Sequence, residues 1–390
     1  MIKYSLFFTL LLSLIIFSSC KDDKMDEVAQ DVTEEEIPQD TTYYGAVIWQ
    51  EGFPKVRIGT YTTDIEFSID QAATIYYLVA EASISFESAD QLIAIAKEAT
   101  TSDTLSLVSR GMIDEPLATE IRSISINDLT AGVDYFLYAI AENPNDSILQ
   151  EAIFTQELAL VERQQVFTYA STAEDREVLY LAYQTDEGLK YPEEKYPAII
   201  FMGGNGERAA QGEINIVRNG SLAQFIDKGN DVPMFVFSPQ HIKNTWNTSL
   251  IHEMVEEALK NYPIDENKIY MTGISGGGIG TWNYAVDHPD VLAAMIPISG
   301  DGRDGRACDI KDIPTWAFHN SSDGIVSPNG SINMVNAMNA CSPAPTTEPL
   351  LTLFDDSGHN AWRRVYDANH PDWGKTATDP VDIYSWFLQF

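Results

Sequence analysis

With 390 residues the chain has the length for two domains, and its 44% apolar and 21% charged residues are those of a globular protein with a sizeable core. A formal charge of -34, from 58 acidic and 24 basic side chains, excludes nucleic acid and anionic membrane surfaces as electrostatic partners, because a polyanion would be repelled. An acidic surface solubilises the chain and names no partner.

In chain order, Lys3 precedes an apolar run from Leu6 to Phe17, and the small residues Ser18-Ser19 lead into Cys20 and an acidic tract. This is the pattern of an export signal. The run is short for a membrane span and is followed by acidic rather than basic residues. A cysteine directly after small residues resembles a bacterial lipoprotein signal. That resemblance implies a signal segment over residues 1–20, with Cys20 lipidated as the membrane anchor. Lys21-Asp22-Asp23-Lys24 resembles the acidic tag that carries lipoproteins to the cell surface in some Gram-negative bacteria, which implies an outer-membrane or cell-surface location. Residues 21–43, with Glu34-Glu35-Glu36 and Pro38, are polar and poor in aromatics, as expected of a disordered tether. If Cys20 carries lipid, Cys308 and Cys341 remain. In an oxidising compartment they can pair, and two buried free thiols fit the sequence equally well.

From 44 to 158 the chain reads as short strands between turn residues, among them Ala46–Trp49, Ile65–Ile69, Thr74–Val79 and Val133–Ile140, without a long helix. Strand after strand predicts an all-β sandwich. The run Leu129-Thr130-Ala131-Gly132-Val133-Asp134-Tyr135 resembles the tyrosine-corner region of fibronectin type III domains, which makes Tyr135 the corner residue of an immunoglobulin-like fold. No His, Asp, Ser or Cys cluster gathers there, so its expected role is a spacer or packing partner rather than a glycan binder.

Over 161–390 buried apolar strands alternate with helical segments, which predicts an α/β fold with a mostly parallel sheet flanked by helices. Strands are placed at Tyr196–Met202, Met234–Phe237, Lys268–Thr272, Ala293–Ile298, Thr315–His319 and Leu350–Phe354, with helices at Leu250–Asn261 and Ser331–Ala340. No repeat period is present. The strand ending in Gly273-Ile274-Ser275-Gly276-Gly277 opens onto a helix-like segment, the layout of a nucleophile elbow that presents a serine Oγ at a sharp strand-to-helix turn. A serine nucleophile needs a base, and the base an orienting acid. Of the six histidines only His359 lies after the last predicted strand beside a glycine, whereas His370 sits in a polar loop. Asp323, in the loop after Thr315–His319, is the acid, with Asp301, Asp304 and Asp309 as fallbacks. The order Ser275, Asp323, His359 is the order of an α/β-hydrolase triad. The oxyanion hole is expected from the N–H groups of Gly276 and Asn205. Trp246 and Trp282 are placed as residues that could line a sugar or aromatic subsite, with buried packing the competing reading for Trp282. His252-Glu253-Met254-Val255-Glu256 imitates a zinc motif but has Glu256 where the second histidine belongs, so no metal is expected.

From Phe167 onward, these pieces together with Tyr196-Pro197-Ala198-Ile199-Ile200-Phe201, Gly206-Glu207-Arg208, Phe237-Ser238-Pro239-Gln240, Trp316-Ala317-Phe318-His319 and Ser357-Gly358-His359-Asn360-Ala361-Trp362 resemble a group of secreted α/β-hydrolase esterases. The group includes feruloyl and acetyl-xylan esterases, polyhydroxybutyrate depolymerase-like enzymes and predicted peptidases, some with an N-terminal immunoglobulin-like domain. The resemblance implies a surface-anchored serine esterase acting on acyl or feruloyl esters of polysaccharides, without a cofactor. A serine peptidase of the prolyl-oligopeptidase-like type and a non-catalytic glycan-binding lipoprotein are the alternatives. Two positions depart from the group's pattern: Gly203 stands where a histidine usually precedes the oxyanion-loop glycine, and Asn320 where a glycine usually follows the histidine before the acid.

Overall fold

The computed structural model describes residues 46–98, 105–114, 118–143, 148–150, 152–160, 162–219, 221–367, 369–370 and 382–390. The signal segment, Cys20 and the tether, expected over residues 1–43, lie outside the described residues.

The first half runs β1 (Lys55–Ile58), β2 (Thr63–Phe67), β3 (Thr74–Ala80), α1 (Ala89–Lys97), β4 (Leu107–Ile113), β5 (Arg122–Ile126), β6 (Asp134–Asn143), β7 (Ile148–Leu149) and β8 (Phe154–Ala159). Strands β1, β2 and β5 form one antiparallel sheet, and β4, β3, β6 and β7 a second, with β8 also paired to β6. Side chains alternate faces along a strand, so each face of β3 and β6 can be followed separately. Ile75, Val79, Leu137 and Ala139 meet Ile65 and Phe67 of the facing sheet. Tyr76, Leu78, Tyr138 and Ile140 point the other way and pack under Leu92, Ile93 and Ala96 of α1. Burial on both faces is why β3 reads as an unbroken apolar run rather than an alternating one. The Tyr135 hydroxyl accepts the Thr130 N–H at 3.0 Å.

Two sequence expectations change here. Ala46–Trp49 is not a strand: Trp49 makes a single bridge to Ile69, and the Ile48 N–H goes to the Asp70 side chain instead of a ladder carbonyl. Helix α1, nine residues that bury Leu92, Ile93, Ile95 and Ala96, departs from the all-β expectation, its short length leaving little helical period to read.

The second half runs β9 (Gln164–Ser171), β10 (Arg176–Tyr183), α2 (Asp186–Lys190), β11 (Tyr196–Met202), α3 (Ser221–Asp227), β12 (Phe235–Pro239), α4 (Thr248–Asn261), β13 (Ile264–Ile274), α5 (Gly276–Asp287), β14 (Ala294–Ile298), β15 (Trp316–Asn320), α6 (Asn329–Asn339), β16 (Leu350–Phe354), α7 (Trp362–Val365) and α8 (Ile383–Phe387). They build one eight-stranded sheet in the order β16-β15-β14-β13-β11-β12-β10-β9. Strands β11 to β16 are parallel, and β10 and β9 continue the sheet antiparallel. One core covers one face of the sheet, with Leu250, Met254 and Trp282 of α4 and α5; a second covers the other, with Leu222 and Ile226 of α3 and Tyr384 and Phe387 of α8. After β11 the chain goes to one side for β12 and to the other for β13. Such a switch point opens a crevice at the carboxyl ends of the strands.

Helix α2 joins the two halves. Asp186 accepts the Thr60 and Tyr61 N–H groups at 2.8 and 3.3 Å and the Thr62 hydroxyl. Lys190, only 6% exposed, reaches Asp64 at 3.0 Å, Asp186 at 3.3 Å and Glu187 at 2.9 Å. Asp64 also accepts the Tyr191 and Ser125 hydroxyls at 2.7 and 2.6 Å. Burial disfavours the Lys190 ammonium, but the three acids outweigh it and hold its pKa above the ordinary lysine value.

Candidate active site

Strand β13 ends at Ile274 and helix α5 begins at Gly276, so Ser275 alone makes the turn, at φ 51° and ψ -116°. A non-glycine residue in this region is strained, and the surroundings must hold it. They do so by close approach: a methyl group on Gly273 would lie 2.4 Å from the Gly277 carbonyl oxygen, and one on Gly277 1.9 Å from that of Met202. Only glycine lets the strand end close against α5 at Gly273 and the start of α5 close against β11 at Gly277. The Ser275 N–H is fixed to the Ile298 carbonyl at 2.9 Å.

His359 and Asp323 come to Ser275 from the loops after β16 and β15. The Ser275 Oγ lies 2.8 Å from His359 Nε2, and His359 Nδ1 lies 2.6 Å from Asp323 Oδ2. A carboxylate can only accept, so Nδ1 carries the proton and Nε2 is left to accept from the serine hydroxyl. The other Asp323 oxygen accepts the Ile325 and Val326 N–H groups at 2.9 and 3.2 Å. Burial alone would raise the Asp323 carboxyl, yet the bonds from His359 and the two amides outweigh it and keep its pKa below the ordinary value. The acid is therefore ionised where it faces the imidazole. Beneath it lies buried His319, with Nδ1 2.8 Å from the Ser331 hydroxyl and Nε2 3.0 Å from the Val326 carbonyl.

The loop carrying Asn205 packs directly on the elbow. A methyl on Gly204 would lie 3.3 Å from Ser275 Cβ, and one on Gly276 would lie 3.5 Å from the Asn205 backbone nitrogen. Gly276 is the first residue of α5, where N–H groups lack intrahelical partners and the helix dipole is positive. Burial of the Glu207 carboxyl beside the Gly204 backbone raises its pKa, and the neighbouring amides offset this only in part.

Of the two tryptophans, Trp246 requires a correction, while Trp282 follows its buried-packing reading. Trp282 is fully buried, and Trp246 is 9% exposed with its Nε1–H donated to the Gly203 carbonyl at 2.9 Å. Neither lines a subsite; both fill the core on the helix side of the elbow. The aromatic residue that does touch the site is Trp362, whose ring stands edge-on to His359 at 5.2 Å. Trp362 and Glu207 also line a groove of about 710 Å3 that extends along α3 past Phe225 and Lys228. In the sequence both residues stand only within longer matching runs, and the position of Trp362 three residues after His359 is the signal that marks it.

Among the described residues no group of three or more His, Cys, Asp or Glu side chains is placed to hold a metal. The zinc-like run has local employment: Glu253 accepts from Ser171, Thr172 and Ala173 at the β9–β10 turn, and His252 stacks on His288 at 4.3 Å. Cys308 and Cys341 form a disulfide that ties the helical turn Asp304–Ile310 to the end of α6.

Sheet order, elbow and hydrogen-bonded Ser-His-Asp chain together define an α/β-hydrolase-like fold. No protein-family profile matches the chain. Over 85 residues, 22% of its length, it is 26% identical to a bifunctional acetylxylan esterase/xylanase of Neocallimastix patriciarum. Over 65 residues, 16% of its length, it is 37% identical to a poly(3-hydroxyalkanoate) depolymerase C of Paucimonas lemoignei. The matched stretches span 13% and 16% of those two proteins. Among solved structures, a thermostable esterase shares 19% identity at a TM-score of 0.44, covering 79% of this chain and 92% of that one. A variant feruloyl esterase module from Clostridium thermocellum complexed with sinapinate shares 18% at 0.43, covering 53% of this chain and 86% of that one.

Proposed function

We propose that the chain is a serine carboxylic ester hydrolase acting on acyl or feruloyl esters of polysaccharides. The observation that carries this is the unbroken contact from Ser275 Oγ to His359 Nε2 at 2.8 Å and from His359 Nδ1 to Asp323 at 2.6 Å, on a strained elbow. Ser275 attacks the ester carbonyl while its proton passes to His359 Nε2. Asp323 holds the imidazole in the required tautomer and stabilises its charged form. The N–H groups of Gly276 and Asn205 hold the oxyanion. Collapse of the tetrahedral intermediate breaks the bond to the alcohol, which takes the proton from His359. Water, deprotonated by the same histidine, then releases the acid from Ser275.

The polysaccharide-ester side of the reading draws on the short match to an acetylxylan esterase/xylanase. Lipid attachment at Cys20 and the tether would place the site outside the cell, where such polymers lie. The β-rich half serves in this reading as an immunoglobulin-like spacer that is fixed to the hydrolase half through α2. Release of acetate from acetylated xylan and of ferulate from methyl ferulate tests the substrate class. Turnover of a chromogenic peptide amide with neither ester hydrolysed would replace it with a peptidase. Incorporation of labelled fatty acid that disappears in Cys20→Ala tests the anchor.

A further inference from the structure

Asn320 is fully buried at the end of β15, and its side-chain Nδ2 donates to the Gly358 carbonyl at 2.6 Å and to Asn360 Oδ1 at 2.9 Å. These are the residues on either side of His359. The Asn320 carbonyl in turn accepts the Asp323 N–H at 3.3 Å. One side chain and its own backbone thus tie the acid loop to both flanks of the base. The amide does so at a cost to folding, since Asn320 Oδ1 is buried without a partner. Alanine or glycine would avoid that unpaired oxygen. A residue kept for stability alone would not leave it, whereas one that needs both N–H donors aimed at the histidine loop would.

We infer that Asn320 is a positioning residue for His359, acting through the Gly358 carbonyl and Asn360 rather than on substrate. This deepens the esterase reading and rests on Ser275 and His359 being the reacting pair. The loop after β16 is also held from its start, by Gly358 N–H to Asp356 Oδ1 at 2.8 Å and Arg364 to Asp356 Oδ2 at 2.8 Å. Asn320 supplies the contacts beyond Asp356, where the imidazole itself is carried.

The test compares full-length wild type with Asn320→Ala, Asn320→Ser, Asn360→Ala and the double variant Asn320→Ala/Asn360→Ala. The readouts are the rate of inactivation by a fluorophosphonate, kcat and KM for a short nitrophenyl ester, and Tm. Misplacing the base slows serine attack, so Asn320→Ala is expected to lower inactivation rate and kcat together, on the order of tenfold to a hundredfold at temperatures where the variant is fully folded, with KM little changed and Tm lowered by the unpaired Gly358 carbonyl. Asn320→Ser keeps one donor and falls between the two. Asn360→Ala loses less, and the double variant is no slower than Asn320→Ala because the two changes break one connection. A wild-type inactivation rate in Asn320→Ala, or a loss confined to KM, overturns the inference. So does a loss that follows Tm through all four variants. Wild-type labelling that survives Ser275→Ala would instead sink the esterase reading, which keeps the two failures distinguishable.

Discussion

The Trp246 indole N–H donates to the Gly203 carbonyl at 2.9 Å, so a residue in the core holds the loop on which Asn205 is carried. The ring of His241 lies against Trp246 at 4.3 Å, and Gly280 of α5 packs under it so closely that a methyl there would come within 2.9 Å of the indole. The loop and the elbow therefore share one support.

Trp246→Phe keeps most of the packing and removes the donor. Leaving the Gly203 carbonyl unpaired should cost about 1–3 kcal/mol of stability. The displaced loop should cost on the order of tenfold to a hundredfold in kcat for a short nitrophenyl ester. Steady-state kinetics beside thermal denaturation checks this; an unaltered kcat would separate Trp246 from the oxyanion loop.

Asp323→Asn preserves volume and still accepts the Ile325 and Val326 N–H groups through its amide oxygen. It no longer presents a carboxylate to His359, so the imidazole loses its enforced tautomer and the partner for its charged form. A fall in kcat of about 10⁴-fold is expected, with folding retained. If one of the fallback acids Asp301, Asp304 or Asp309 supplied the charge, Asp323→Asn would stay near wild-type rate.

His241 is buried with its Nε2 unpaired, and burial lowers its pKa from 6.5 to about 4, assisted by nearby Arg208 and Arg176. Between those values the unfolded chain binds the proton and the folded chain does not, so stability falls as pH drops from about 6.5 to about 4 and is flat in this respect above. The loss totals about 3 kcal/mol. His241→Phe, which cannot titrate, should make this part of the stability-versus-pH curve measured by denaturant unfolding shallower, with His288 and the buried His319 supplying the remaining slope. An identical slope in the variant would assign the acid sensitivity elsewhere.

How far this was legible in the sequence depends on the range of each interaction. Strands β11, β14 and β15 were readable almost to their ends because parallel strands buried on both faces appear as continuous apolar runs, whereas β13 was read only over Lys268–Thr272, its polar start at Asp265-Glu266-Asn267 hiding the rest. Strands β9 and β10 were passed over: β9 alternates buried and exposed residues beside a polar turn and looks like loop until its partner is known. The hydrogen-bonded set Ser275, His359 and Asp323 was legible because chain order and strand ends restrict it to few residues. The tryptophans were not, since nothing local distinguishes Trp246, buried under the elbow, from Trp362, standing at His359. The role of Asn320 needed the fold too, because its partners lie 38 and 40 residues away.

Lys190 lies between acids from both halves of the chain, and the junction depends on its charge. Lys190→Met fills similar volume but leaves Asp64 and Asp186 facing each other without a cation. Breaking one partner of a buried ionic cluster costs about 3–5 kcal/mol, and the loss should be visible as a lower denaturation midpoint. The Ser275 centre is held by other elements, so kcat at low temperature should be retained. An unchanged midpoint would mean that the cluster is not needed to hold the halves together.

The central claim rests on Ser275 as nucleophile. The most direct measurement is hydrolysis of short-chain nitrophenyl esters and methyl ferulate by wild type and Ser275→Ala at matched folding. Turnover by wild type that falls in Ser275→Ala on the order of 10⁶-fold, or to background, is the predicted result. Equal turnover by both proteins, or none by wild type on any ester, would contradict it.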